Sequence, residues 1–108
     1  LVGALSGYMV TVFNVTMLVT YASATELSSN DLYFGYDSSS TSAYWRQVRD
    51  CMNGKTTDIT FTLAADPPSG GGCSTSILNK PFIMWSNAAF TGGWSCDVYV
   101  SYAYTKVL

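Results

Sequence analysis

Residues 8 to 21 read YMVTVFNVTMLVTY, and no charged side chain occurs before Glu26. A stretch of this kind crosses a membrane as a helix, fills a core as a strand, or pairs with another subunit. A transmembrane helix needs about 20 mostly apolar residues, and residues 1 to 25 are long enough. Their content argues the other way. Ser6, Thr11, Asn14, Thr16, Thr20 and Ser23 interrupt the run, and no basic anchor follows until Arg46. Val10, Val12, Val15 and Val19, with Thr11, Thr16 and Thr20, are β-branched, which favours the pleated conformation over the helix.

As a strand, the segment places Met9, Phe13, Val15, Met17, Val19 and Tyr21 on one apolar face, interrupted only by Thr11. Tyr8, Val10, Val12, Asn14, Thr16, Leu18 and Thr20 then occupy a mixed face, which is expected to be covered by a loop, a second sheet or a neighbouring copy. Cover by a neighbour would be β-strand addition. Asn14-Val15-Thr16 also matches the N-glycosylation acceptor pattern, although an Asn inside a paired sheet is ordinarily hydrogen-bonded to its surroundings.

The rest of the chain repeats the strand signal. Trp94, Cys96, Val98, Val100, Tyr102 and Tyr104 alternate with Ser95, Asp97, Tyr99, Ser101, Ala103 and Thr105, the period of a half-buried antiparallel strand. Thr91-Gly92-Gly93 marks its start and leaves room for close backbone approach. Ile59, Phe61 and Leu63 alternate with Asp58, Thr60 and Thr62 in a strand over 57–63, which Pro67, Pro68 and the glycines 70–72 end in a loop. Residues 31–36 and 81–85 are further short strands. Residues 41–54 fit a period of two poorly, whereas Tyr44, Val48, Cys51 and Met52 fall at helical spacing. A short helix capped by Ser42 and ended by Asn53-Gly54 is therefore expected, with a type I′ turn at Asn53-Gly54 as the competing reading. The Ser-rich tract DSSSTS at 37–42 reads as a loop.

No repeat or linker divides these 108 residues, so they are expected to form a single domain, 1–108. The class is all-β, an antiparallel sandwich of jelly-roll-like type with at most one short helix. The chain opens on Leu1 without a basic n-region, which suggests a product from which any leader or partner domain has been removed.

Composition narrows the function classes. Charged residues are 11% of the chain and net charge is −2, while Ser and Thr together number 26, so hydroxyls and amides must make up the polar surface. Such a surface suits packing against copies of itself, or binding glycans. Five scattered basic residues and an acidic isoelectric point argue against nucleic acid. The absence of histidine removes Ser-His-Asp and Cys-His mechanisms and the commonest metal ligand. The spacing of the aspartates selects no acid–base pair, and residues 69–75 lack the Lys of a phosphate-binding loop. No catalytic residue, metal site or cofactor is assigned. Cys51, Cys73 and Cys96 allow three pairings that spacing does not rank.

These features suggest a non-enzymatic module that self-associates outside the cytoplasm, as a virion capsid or projecting domain or an extracellular filament subunit. Two alternatives stand beside it: a lectin-like module using Trp45, Trp85 or Trp94, and a filament subunit that donates residues 8 to 21 to its neighbour. Tyr8, Val10, Val12, Asn14 and Tyr99 join the three tryptophans as candidate contact residues. Tyr99 is the informative one, because alternation puts it on the outer face of the last strand, where an aromatic gains little unless something covers it.

Overall fold

The computed structural model describes residues 1–36, 44–65 and 77–107. They form six strands, β1 (Tyr8–Tyr21), β2 (Leu32–Gly35), β3 (Tyr44–Val48), β4 (Ile59–Leu63), β5 (Ile83–Ser86) and β6 (Trp94–Lys106). Two three-stranded antiparallel sheets pack together, one ordered β4-β1-β6 and the other β3-β2-β5. This is a β-sandwich. The described residues supply six strands, against the eight of a jelly roll.

β1 sets the size of the molecule. Fourteen extended residues at about 3.4 Å each span roughly 48 Å, which matches the longest dimension of 48 Å. The strands of the second sheet are only four or five residues long. A long sheet therefore carries a short one on one face.

The first sequence expectation needs correcting at Phe13. Val12 lies opposite Tyr102 and Asn14 opposite Ser101, so Phe13 is an extra residue, a β-bulge. The bulge exchanges the faces: Val10 and Val12 point inward before it, and Val15, Met17 and Val19 point inward after it. Phe13 itself is 58% exposed. A strictly alternating reading could not combine these five residues on one face.

The expected helix is also overturned. The described part of 41–54 is strand β3 followed by turns. Arg46 pairs with Phe34 and Tyr44 with Gly35, which leaves Trp45 as a second bulged residue. That irregularity spoils the period of two, and pairing with β2 outweighs a weak helical spacing. Asn53-Gly54 is no type I′ turn, because Gly54 has φ 72° while Asn53 stays out of the positive region. The lysine amide of Lys55 donates to the Met52 carbonyl across that turn at 3.1 Å. The Ser-rich tract 37–42, the loop 66–72, Cys73 and the glycine-rich run 69–75 lie outside the described residues.

The core joins both sheets. Val10, Val12, Val15, Met17, Val19 and Leu63 from the long sheet meet Leu32, Phe34, Tyr36 and Trp45 from the short one. Phe82, just before β5, is fully buried and touches Phe34, Tyr36 and Trp45 at ring separations of 6.4, 5.5 and 5.5 Å. Val2 pairs with Phe82, and the Tyr36 hydroxyl donates to the Val10 carbonyl at 2.8 Å, so the two sheets are tied by polar as well as apolar contacts.

Candidate functional site

Three features of this fold go beyond core packing: a buried carboxylate, an outward aromatic trio and an open strand edge. The carboxylate belongs to Glu26, the only glutamate in the chain and 1% exposed. Oε1 accepts from the Ser28 amide (3.1 Å), the Ser28 hydroxyl (2.7 Å), the Thr91 amide (2.9 Å) and the Thr91 hydroxyl (2.8 Å). Oε2 accepts from the Gly92 amide (2.6 Å), the Trp94 indole N–H (3.0 Å) and, more weakly placed, the Thr91 amide. Burial works to raise the carboxyl pKa, but hydrogen bonds from Ser28, Thr91, Gly92 and Trp94 favour the ionised form and hold it well below the usual carboxylate range.

The glycines before β6 make this arrangement possible, as their spacing suggested. A Cβ on Gly92 would sit 2.8 Å from Glu26 Oε2 and 2.9 Å from Glu26 Cα, and one on Gly93 would collide with Ser23. The Gly93 amide donates to the Ala24 carbonyl at 2.9 Å, and the Gly93 carbonyl accepts from Ala22 and Ser23. Glu26 thus fastens the exit of β1 to the entry of β6. All donors are already engaged within the chain, which makes this an anchor rather than a ligand site.

The aromatic trio lies on the outer face of the short sheet. Alternation sends Leu32 and Phe34 inward and Tyr33 outward, and register places Trp85 directly opposite Tyr33. Tyr33 and Trp85 stack at 5.5 Å with 20° between planes, and Tyr44 completes the group at 4.9 Å from Tyr33 and 5.6 Å from Trp85. Burial, and then the neighbouring Tyr33 and Asp31, push the Tyr44 hydroxyl pKa up. Beside the trio, Gln47 donates to Asp31 Oδ2 at 3.1 Å, and the Asp50 amide donates to Asp31 Oδ1 at 2.8 Å.

The other two tryptophans are placed differently. Trp45 is only 8% exposed and packs edge-on against Phe82, so it belongs to the core and presents no face to a ligand. Trp94 is half-buried against Phe90, with its indole N–H committed to Glu26. Of the contact residues expected on β1, Val10 and Val12 are covered by their own chain, Tyr8 is half-buried at the start of the strand, and Asn14 is exposed on the outer face.

The open edge is that of β6. β1 is paired with β6 from Tyr8 to Tyr21 and with β4 over Val15–Val19, so its second half is held along both edges within the chain. β6 is thirteen residues long and, among the described residues, pairs only with β1. Among the described residues no backbone hydrogen bond reaches its far edge, and Val107 beyond its end turns back to Gly7. Tyr99 is 57% exposed on the outer face, while Tyr102 and Tyr104, in edge contact with each other, are 45% and 39% exposed on the core-facing side, where the Tyr104 hydroxyl donates to the Gly3 carbonyl. Strand-by-strand reading missed the grouping of the trio and the open edge, because both follow from which strands become neighbours.

Cys51 and Cys96 are free thiols. Burial first, then the charges of Asp31 and Asp50, push the Cys51 thiol up to about 11, and burial with Asp97 raises Cys96. Among the described residues no group of three or more Cys, Asp or Glu is placed to hold a metal ion, and no helix is long and apolar enough to cross a membrane. No family model, curated protein or solved structure matches the chain.

Proposed function

We propose that this chain is a non-enzymatic structural module, a jelly-roll-like sandwich that self-associates in an assembly outside the cytoplasm, such as a virion capsid or projecting domain or an extracellular filament. The observation that carries the proposal is β6, whose thirteen-residue edge is unpaired among the described residues. Soluble monomers blunt such edges with proline, lysine, bulges or cover, because unmade backbone hydrogen bonds template another strand. β6 contains no proline, and its only charges are Asp97 and the terminal Lys106. The sparse charge of the whole chain works in the same direction. The non-enzymatic part is supported by the carboxylates, since both oxygens of Glu26 and of Asp31 and one oxygen of Asp58 already accept hydrogen bonds within the chain. Light scattering across a hundredfold concentration range tests self-association: a dimer or larger species is expected, and a monomer throughout would overturn it.

A second reading draws on the aromatic trio. Tyr33, Tyr44 and Trp85, with the amide of Gln47 and the carboxylate of Asp31 beside them, offer stacking surface next to polar groups, the combination that binds sugar rings. A glycan-array signal lost in Trp85→Ala and retained in Trp94→Phe would favour this reading, and an array without signal would remove it.

A further inference from the structure

We infer that the partner of β6 is β6 of a second copy, paired antiparallel about a two-fold axis at Ser101, so that two long sheets join into one of six strands. This rests on the self-association proposed above and names its surface. An unpaired strand edge takes an extended backbone as its partner, and β6 is by far the longest edge strand of the fold, thirteen residues against five in β3 and β4 and four in β5. β6 is also without a bulge in its register with β1, since the two irregularities among the described residues fall on other strands.

Side-chain chemistry selects the occupant and the register. A two-fold axis perpendicular to the sheet keeps inner faces with inner faces, so residues of the same parity must meet. With the axis at Ser101, Val100 faces the partner's Tyr102 and Val98 faces the partner's Tyr104. Each exposed inner tyrosine is then covered by a β-branched side chain, a favourable cross-strand pair. On the outer face Tyr99 meets the partner's Ala103, which has room for the ring, and no like charges are opposed. Moving the axis to Tyr102 would set Tyr102 against its own copy, and moving it to Val100 would set Tyr104 against the partner's Cys96. A second copy supplies this apolar and aromatic order by symmetry.

Ser101 is exposed on the outer face, so its substitution spares the core. The experiment compares the wild-type chain with Ser101→Lys, Ser101→Asp and, on the opposite edge, Thr62→Lys, by sedimentation and light scattering, with circular dichroism to verify folding. The expected result is a wild-type dimer, monomers for both Ser101 variants, a 1:1 heterodimer when the two are mixed, and a dimer for Thr62→Lys. Ser101 variants that stay dimeric, or a Thr62→Lys variant that also dissociates, would overturn this interface while leaving self-association standing. Folded Ser101 variants that are monomeric yet fail to associate on mixing would overturn the two-fold register. A wild-type chain that is monomeric at every concentration would remove the underlying reading as well.

Discussion

Replacing Glu26 with glutamine keeps its shape and removes its charge, and the outcome follows from the six donors around it. An amide accepts at one end only. With its nitrogen in the place of Oε2 it would meet the Gly92 amide and the Trp94 indole N–H, neither of which can turn away. In the opposite orientation the Ser28 and Thr91 hydroxyls can rotate to accept, but the Ser28 amide is left facing another N–H. Either way a buried donor goes unmet, so Glu26→Gln is less stable than wild type at pH 7.

Acid should narrow that difference. The folded carboxyl is held well below the usual range, because the hydrogen bonds from Ser28, Thr91, Gly92 and Trp94 outweigh the effect of burial. The unfolded chain takes up the proton near its ordinary value of about 4.3. Stability from Glu26 is therefore complete above that pH and is lost as pH falls below it. For one proton bound only by the unfolded chain, the folding equilibrium constant at pH 3 is lowered about 20-fold relative to pH 7. Glu26→Gln has no such term, so the ratio of the two folding constants should shrink by about that factor. Urea unfolding followed by tryptophan fluorescence between pH 7 and pH 3 measures it. Curves that keep a constant separation down to pH 3 would refute the account of Glu26 as an ionised anchor.

Phe82→Ala should cost about 3–5 kcal/mol, since it empties a fully buried site between Phe34, Tyr36 and Trp45; a loss under about 1 kcal/mol in the same urea assay would contradict that packing. Deleting Phe13 should be tolerated within about 2 kcal/mol, because it removes the bulged residue and leaves Val12 inward, Asn14 outward and Val15 inward in unbroken alternation. Deleting Thr16 instead, in a stretch of β1 paired on both sides, flips one part of the strand and should abolish cooperative unfolding. Cys51, with its thiol pushed up to about 11, should alkylate roughly a hundredfold slower at pH 8 than a free thiol, with the rate still rising beyond pH 9; labelling as fast as glutathione in a mass-spectrometric time course would show that the thiol is not shielded.

The strands were readable because their signals are local. β6 alternates without a break over its whole length, β4 does so over five residues, and β-branching separates β1 from a helix despite its lack of charge. The need for close approach at Gly92-Gly93 was legible too, since two glycines ahead of a strand have few other uses, although the Glu26 carboxylate they make room for was not. The two local failures share one cause. A bulge inserts a residue that no period of two can carry, so Phe13 and Trp45 each disguised the strand around them, and in β3 the disguise resembled a helix.

What the tertiary structure decided is adjacency. Nothing in the spacing of Glu26 and Trp94 shows that they meet, nor that Tyr33, Tyr44 and Trp85 share one face. The order β4-β1-β6 likewise places the uncharged opening strand at the centre of its sheet, paired on both edges over Val15–Val19, and puts the long last strand at the edge. Local composition and periodicity determine that a segment is extended and which side chains alternate. Which strands become neighbours is settled by long-range hydrogen bonds and core packing, whose partners lie far apart in the chain.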